Sequence, residues 1–405
     1  MEKFTGLIGI FTLLGIAVLL SNNRKKINLR TVFSGLALQF ILAFFILGTS
    51  LGEPVFRALD NAITTLVGFS DAGSTFLFRS YISDTYHPSL ENFAFRTLPT
   101  IIFFSSLISV LYHFGIIQKI VKMFAKIFQK TMFISGTESL SVSGNIFLGQ
   151  TEAPLMVKPF VDKMTKSELM AVMTGGFATA AGGILAIYVS WLSDIPGIAG
   201  HLLTASVMSA PAALVMAKII YPEVEESNTM GDLNIEIEQT TTNAMEALGN
   251  GATTGLKLAA NIAAMLIAFL SFVAMINYLL LFLGTSMEAI FGFLFKPLAW
   301  TMGVPWSEAG VLGTLMGKKI VLTELIAYGD LQQVLAEGLI SERTAIIASY
   351  ALCGFANFGS IGIQLGGIGA MAPNRRGDLA RLVTKAMIGG ALASWLTATI
   401  AGLLL

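Results

Sequence analysis

Residues 145–154 read Asn-Ile-Phe-Leu-Gly-Gln-Thr-Glu-Ala-Pro, which places a carboxylate, two side-chain amides, a hydroxyl and a helix breaker in one short stretch. A second polar stretch, Thr323-Glu324, lies in the other half of the chain. A Gly-Phe-Ala tripeptide follows each stretch, at residues 176–178 and 354–356. Both stretches have strongly apolar surroundings, where a carboxylate is costly and is usually retained for function. We interpret them as two copies of one device that binds a small polar solute.

The polar side chains in and after these stretches suit a solute with adjacent hydroxyls and a planar edge. Carboxylates match a vicinal diol, amides offer a donor and an acceptor to a base edge, and hydroxyls adjust to either. A phenylalanine there either packs in the core or stacks on a planar ring. The candidate contacts are Gln150, Thr151, Glu152, Glu324, Phe355, Asn357 and Ser360. The alternative for Glu152 is an ion pair with Lys158 or Lys319.

A cation that binds together with the solute would need several oxygen ligands, and the same region offers them. Asn145 and Thr179 supply side-chain oxygens, and unwound backbone at Leu148 and Ala180 would supply carbonyls. The negative ends of half-helices favour a cation at such a place. The alternative for Asn145 is a hydrogen bond between two helices.

The composition is that of a polytopic membrane protein. Apolar residues make up 54% of the chain and charged residues 12%, whereas a soluble domain carries roughly a quarter of charged residues. Eight charge-free windows have about the length of a bilayer-spanning helix, which is ~20 residues; they are 4–23, 31–52, 97–118, 169–193, 195–217, 258–287, 344–374 and 386–405. The first window lacks a cleavage site and is expected to stay as a helix.

Several functional classes are excluded or disfavoured by the same counts. The net charge of zero implies no nucleic-acid partner, and the single Cys353 cannot form an intrachain disulfide. Three scattered histidines do not predict a metal centre. No phosphate loop, nucleophile–base set or metal-ligand spacing is present, so we expect neither an enzyme nor a bound cofactor.

Basic clusters predict which loops are cytoplasmic. They occur at residues 24–30, at 119–130 with three- and four-residue spacing, and at 373–385. The spacing of the second cluster predicts one basic face of a helix on the membrane surface. All three clusters place the N- and C-termini outside, in a bacterial inner membrane.

We divide the chain into four parts. Residues 1–95 contain two spans and interfacial helices that form a scaffold. Residues 96–220 form a first repeat with a re-entrant hairpin at 132–164, and residues 221–250 an acidic cytoplasmic linker. Residues 251–405 form a second repeat with a hairpin at 307–331. A Thr165–Glu168 capping box predicts the start of a helix, 166–192, that is broken by Gly175, Gly176, Gly182 and Gly183.

The two repeats have the same order of elements and opposite topology. Each consists of a span, a hairpin ending in Thr-Glu, a broken helix with Gly-Phe-Ala, and a final span. The second broken helix, 343–370, is expected to be interrupted from Asn357 to Gly369. In inverted repeats with discontinuous helices, substrate and coupling ions bind near the midplane where the repeats meet.

With these residues in place, the chain resembles the concentrative nucleoside transporters over nearly its whole length. The resemblance rests on residues 149–154 (Gly-Gln-Thr-Glu-Ala-Pro), Thr323-Glu324, and residues 353–357 (Cys-Gly-Phe-Ala-Asn) with Ser360. Residues 22–30 and 373–378 also look like this family.

The resemblance implies an all-α homotrimer whose protomers each have eight spans, two re-entrant hairpins and their own path. It implies substrate contacts from Gly149, Gln150, Thr151 and Glu152 to the nucleobase side and from Glu324, Phe355, Asn357 and Ser360 to the ribose side. It also implies a sodium site at Asn145, Leu148, Thr179 and Ala180. Sodium-coupled bacterial members carry Ser-Ile in place of Thr179-Ala180 and Asn-Glu in place of Thr323-Glu324.

We therefore expect a symporter that imports nucleosides with Na+ by alternating access. Threonine keeps the hydroxyl and alanine the carbonyl of the sodium site, so Na+ is the favoured ion, and H+ is the alternative. A channel would not concentrate solute, and buried carboxylates at two hairpin tips argue against it. A membrane enzyme would need a nucleophile–base pair or metal ligands.

Overall fold

The computed structural model describes residues 2–50, 52–80, 90, 94–95, 98–230 and 241–405. Over these residues the chain forms helices joined by short turns, which confirms the all-α prediction. The predicted interfacial segment 52–95 and acidic linker 221–250 fall partly outside the described residues.

In the described part of the chain, five α-helices precede the first hairpin. They are α1 (Glu2–Leu19), α2 (Leu29–Gly48), α3 (Gly52–Phe78), α4 (Leu98–His113) and α5 (Ile116–Met132). The Asn28 side chain caps α2 by accepting hydrogen bonds from the N–H groups of Arg30 and Thr31. Phe11 and Phe33 project from α1 and α2 with most of their surface exposed, as expected of helices that face lipid.

Helix α5 turns by 77° from α4 and carries one polar face. Its four lysines, at positions 119, 122, 126 and 130, are exposed. Its opposite face, from Ile117 to Met132, is buried. The predicted basic face is therefore confirmed.

The middle of the chain contains the first hairpin and the first broken helix. Its helices are α6 (Gly136–Gly144), α7 (Glu152–Leu155), α8 (Lys166–Ala178), α9 (Gly182–Trp191) and α10 (Ile198–Ile220). The nine residues of α6 are too few to cross a bilayer at 1.5 Å per residue. The predicted capping box at α8 is confirmed, because Thr165 and Glu168 bond each other's backbone N–H groups.

The C-terminal half contains a second pair of helices joined at Thr323-Glu324 and a second broken helix. Its helices are α11 (Ala244–Leu281), α12 (Met287–Thr301), α13 (Ala309–Val321), α14 (Glu324–Ala336), α15 (Glu342–Leu352), α16 (Phe358–Met371) and α17 (Arg376–Leu404). Helix α11 starts within the predicted linker because Asn243 caps it through the Glu246 N–H group.

Both helix breaks are narrower than predicted: Gly182 and Asn357 do border them, whereas the other predicted positions lie inside helices. The first comes at residues 179–181, after the Gly-Phe-Ala tripeptide, and leaves Gly175 and Gly176 inside α8. There they permit close packing: a Cβ atom on Gly176 would lie 3.0 Å from the Gln150 Cβ. The second break is confined to residues 353–357, so Gly369 lies inside α16.

Several helices are long and apolar enough to cross a membrane. Within the described residues there are five, or six if the bent α4–α5 pair counts as one span. They are Leu29–Gly48, Lys166–Trp191, Ile198–Ile220, Ala244–Leu281 and Pro373–Leu404. The chain is a multi-pass, all-helical membrane protein.

The two breaks contact each other. Gly354 has a φ of +97°, a conformation that favours glycine. A Cβ atom there would lie 2.5 Å from the Ala178 carbonyl oxygen. The end of α8 and the start of the second break are therefore in direct backbone contact, which brings the polar ends of four half-helices together.

Candidate substrate and ion site

Glu324 is a buried carboxylate at the first position of α14. Its two oxygens accept hydrogen bonds from different elements: Oε1 from the Tyr188 hydroxyl at 3.3 Å and Oε2 from Asn357 Nδ2 at 2.8 Å. Thr323 caps the same helix through the Ile326 N–H group. A carboxylate at a helix N-terminus is also favoured by the helix dipole. The position therefore holds a negative charge where the second hairpin, α9 and the second break converge.

The N-terminus of α16 links the second hairpin to the first. Asn357 caps α16 by accepting a hydrogen bond from the Ser360 N–H group at 2.8 Å. Gln150 Nε2 donates to the Ser360 hydroxyl at 3.1 Å, and Gln364 Nε2 donates to Gln150 Oε1 at 3.2 Å. One buried chain of hydrogen bonds thus runs from Glu324 through α16 to the tip of the first hairpin. Its members are the donor–acceptor groups that a polar solute would need to address.

Other candidate residues lie beside this chain without joining it. Thr151 packs against α16, where a Cβ atom on Gly367 would lie 2.7 Å from Thr151 Cγ2. Phe355 is half-buried in the second break. Gly149 leaves room for the carboxylate of Glu152, since a Cβ atom there would overlap Glu152 Oε2.

Glu152 itself is exposed at the tip of the first hairpin. The ion-pair alternative is wrong, because neither Lys158 nor Lys319 pairs with it in the described part of the chain. The structure therefore brings Glu324, Asn357, Ser360 and Gln150 into one network and leaves Glu152 outside it.

The candidate cation ligands surround the first break. Asn145 is buried at the end of α6 and donates through Nδ2 to the Ser141 carbonyl at 3.1 Å. Its Oδ1 atom is buried and, among the residues that the structure describes, has no hydrogen-bond partner. The Thr179 hydroxyl donates to the Gly175 carbonyl at 3.0 Å, which leaves its lone pairs for another ligand. An orphaned buried oxygen beside an unwound helix end fits a monovalent cation.

Leu148 and Ala180 occupy the two non-helical segments beside Asn145. Leu148 lies in the hairpin turn and Ala180 in the first break. The two segments are joined by a hydrogen bond from the Gly182 N–H group to the Phe147 carbonyl at 3.2 Å. Unwound backbone of this kind exposes carbonyl groups that helices would consume.

Comparison with known proteins identifies the family. A model of the Na+-dependent nucleoside transporter N-terminus matches residues 8–81, and a nucleoside-recognition Gate model matches residues 94–194. The model of the Na+-dependent nucleoside transporter C-terminus matches residues 201–402. An uncharacterized transporter of Haemophilus influenzae is 42% identical, with 100% of this chain and 98% of the relative covered. The chain belongs to the Na+-dependent nucleoside transporter family.

Characterised relatives and solved structures agree with this assignment. Sodium/nucleoside cotransporter 1 of Mus musculus is 40% identical over all of this chain, which spans 64% of the length of that relative. The structure of CNTnw in an inward-facing substrate-bound state is 41% identical, with a TM-score of 0.91 and coverage of 100% and 98%. A substituted CNTnw in an outward-facing state, 40% identical, gives the same TM-score and coverage. The family is one of transporters and not of enzymes.

Sequence reasoning missed two side chains of the network in this transporter family member. Gln364 donates to both Gln150 and the Met173 carbonyl, and its amide in a charge-free run was a usable signal. Tyr188, which bonds Glu324, stacks on Tyr328 with ring centroids 3.9 Å apart. A tyrosine in an apolar helix carries no such signal, because its partner comes from a distant part of the chain.

Proposed function

We propose that this chain imports nucleosides together with Na+ by alternating access. The observation that carries the proposal is the buried hydrogen-bond chain that joins Glu324 to Gln150 through Asn357 and Ser360. It offers a carboxylate for adjacent hydroxyls and amides for a base edge. Bound solute would replace internal hydrogen bonds with its own, so that the two hairpins close around it.

Each side of the solute would meet a different repeat. The ribose would contact Glu324, Asn357 and Ser360, with Phe355 beside it. The nucleobase would face the first hairpin, through Gly149, Gln150, Thr151 and Glu152. Support for this division comes from burial: the carboxylate of Glu324 is enclosed as a diol contact requires, whereas that of Glu152 stays accessible to a solute that enters.

Na+ would bind at Asn145, Leu148, Thr179 and Ala180. The unpaired Asn145 Oδ1 supports this site, because a buried oxygen without a partner is costly unless a ligand completes it. Na+ there would fix the first hairpin against the first break and so complete the nucleobase side. H+ is the alternative coupling ion.

The proposed topology has eight spans and two re-entrant hairpins, arranged as an inverted repeat. The spans are α1, α2, α4, α8 with α9, α10, α11, α15 with α16, and α17. Both termini would lie outside a bacterial inner membrane. Residues 1–95 would serve as scaffold, 96–220 and 251–405 as the two repeats, and 221–250 as a linker.

We further propose a homotrimer in the membrane. Helix α11 supports this, because most of its apolar side chains are exposed, Ile267 and Leu281 among them. In an oligomer whose protomers each have their own transport path, such a face would pack against partner chains and lipid.

Uptake of labelled uridine into proteoliposomes tests the function. We expect concentrative uptake under an inward Na+ gradient and its loss when choline replaces Na+. Uptake that persists in choline and follows a proton gradient would assign H+ as the coupling ion. Equilibration without concentration would indicate a channel, and no uptake under either gradient would contradict nucleoside transport.

A further inference from the structure

Lys319 is a fully buried lysine that is held by neutral oxygens. Its ammonium donates to the Ala351 carbonyl at 3.0 Å, the Cys353 carbonyl at 3.0 Å and the Ser394 hydroxyl at 2.9 Å. An ammonium has three donors, and all three are satisfied. Within the described residues no ion pair joins Lys319 to a carboxylate. This is an unusual setting, because burying a charge is costly unless its environment replaces water completely.

The neighbouring Lys318 shows the contrast. It is only partly buried and forms ion pairs with Asp330 at 2.7 Å and Glu288 at 3.3 Å. Lys318 is therefore an ordinary ion-paired lysine that links α13 to Glu288 on α12 and Asp330 on α14. Lys319 instead sits among carbonyls of an unwound helix end, which is the ligand type that holds Na+ in transporters with broken helices.

The position of Lys319 corresponds to that of the candidate Na+ site in the other repeat. Asn145 lies at the end of the first hairpin arm, and a Cβ atom on Gly175 would lie 3.4 Å from its Nδ2 atom. Gly175 directly precedes the first Gly-Phe-Ala tripeptide, as Cys353 precedes the second. In both repeats a polar side chain from the first hairpin arm thus reaches the broken helix near the end of its first half: Asn145 lies beside Gly175, three residues before α8 ends, and Lys319 bonds the carbonyls at the end of α15.

The last helix of each repeat adds an equivalent hydroxyl. Ser206 on α10 donates to the Ile146 carbonyl in the first hairpin turn at 3.1 Å. Ser394 on α17 accepts from Lys319 in the second hairpin. Each broken helix also ends its first half nearby, at Ala178 and Leu352, where the negative helix end favours a positive charge.

We propose that the Lys319 ammonium is a permanently bound cation, which occupies in the second repeat the place that transported Na+ takes in the first. The inference rests on the proposed function for the identity of the first site. With the Lys319 ammonium in the second repeat and Na+ in the first, each repeat holds one positive charge, and only the Na+ can exchange. The tethered charge holds the second hairpin, and with it Glu324, against the second break in every state of the transport cycle.

Removal of the ammonium should turn its oxygen cage into a second Na+ site. In Lys319→Ser the freed carbonyls, the Ser394 hydroxyl and the new hydroxyl surround a space that Na+ can enter. The measurement is the thermal unfolding temperature of the purified protein as Na+ replaces choline at constant ionic strength. A ligand that binds only the folded state raises this temperature with its concentration. We expect Asn145→Leu to shift the Na+ response to at least about tenfold higher Na+ concentration, and Asn145→Leu/Lys319→Ser to respond again at the wild-type concentration.

Lys318→Ser is the matched control, and it should not restore the wild-type Na+ response in the Asn145→Leu background. The proposal would be overturned if the Asn145→Leu/Lys319→Ser variant folds but its unfolding temperature does not change with Na+. If Lys319→Ser folds poorly, methylammonium is added to the variant, because this ion is the charged head group of lysine without the rest of the side chain. We expect methylammonium or Na+, but not choline, to restore folding, and failure of both would overturn the proposal.

The same experiment separates this inference from the proposed function. A wild-type protein without any Na+ response would argue against Na+ coupling. Lys319→Ser alone would still acquire a Na+ response if the second-repeat cage is a cation site. The two conclusions therefore fail on different variants.

Discussion

Glu324 carries the sharpest expectation at the scale of single residues. Glu324→Gln keeps the shape of the side chain but turns an amide donor toward the Tyr188 hydroxyl or the Asn357 amide, both of which donate to the carboxylate. A hydrogen bond to a charged group contributes about 1.5–3 kcal/mol, so we expect uridine affinity to fall roughly 10- to 100-fold. Calorimetric titration of uridine measures the change.

Glu337→Gln provides the matched control for that substitution. Glu337 ends the same helix, is exposed, and contacts Gln333 rather than the second break. Its affinity for uridine should equal that of the wild type. Equal affinities in the Glu324 variant and the wild type would remove this carboxylate from the substrate site.

Asn145 should contribute to Na+ binding as Glu324 should contribute to substrate binding. Asn145→Leu replaces the unpaired buried oxygen with a methyl group of similar volume, and so removes one ligand from the candidate Na+ site. We expect the Na+ concentration for half-maximal uridine uptake to rise by at least about tenfold, which corresponds to about 1.4 kcal/mol. Asn61→Leu, an exposed asparagine on α3, should leave it unchanged. An unaltered Na+ dependence in Asn145→Leu would move the site elsewhere.

The residues that could be predicted from the sequence are those whose chemistry is local. Thr165 and Glu168 predict the start of a helix. Polar residues beside Gly-Phe-Ala predict the end of a helix in an apolar chain. The sequence suggests Lys319 only as a partner for Glu152, because nothing in it shows which carbonyl groups a broken helix leaves free. Such partners depend on tertiary packing, and only the structure supplies them.

At the scale of elements, the contact between the two breaks should be intolerant of added volume. Gly354→Ala would force a side chain into a left-handed conformation and within 2.5 Å of the Ala178 carbonyl oxygen. Strain of about 1–2 kcal/mol and overpacking of about 1–3 kcal/mol should both lower the unfolding temperature. Gly362→Ala is the control, because no atom of the described residues lies within 4 Å of its added Cβ atom. That change should raise stability by about 0.5–1 kcal/mol, since glycine is unfavourable in a helix.

The breaks also show why element boundaries were harder to predict than element order. The glycines of α8 were expected to interrupt it, yet they serve as contact points for neighbouring side chains such as Val142 and Gln150. A glycine in a buried helix permits either result, and the choice depends on what packs against it. The order of hairpins and broken helices was recoverable because Thr-Glu and Gly-Phe-Ala recur in sequence.

At the scale of the whole molecule, transport requires two bodies that move against each other. Helices α4 and α11 pack along one another, and α9 contacts α4 from the side of the breaks. Helices α10 and α17 pack against α8 and α15, and α1 and α2 pack against α10 and α17 from outside. Because α9 belongs to a broken helix and α4 does not, the α4–α9 contact is where we expect sliding to occur.

A cross-link across that contact should therefore arrest transport. A Cβ atom on Gly183 of α9 would lie 3.6 Å from the Phe104 Cβ on α4, which is within the range that a disulfide bridges, about 3.5–4.5 Å. Cys353, the single native cysteine, is buried and should not compete. We expect the Phe104→Cys/Gly183→Cys variant to lose uridine uptake on oxidation and to recover it with reductant. Each single variant should be insensitive to oxidation, and full uptake by the cross-linked pair would show that α4 and α9 move together.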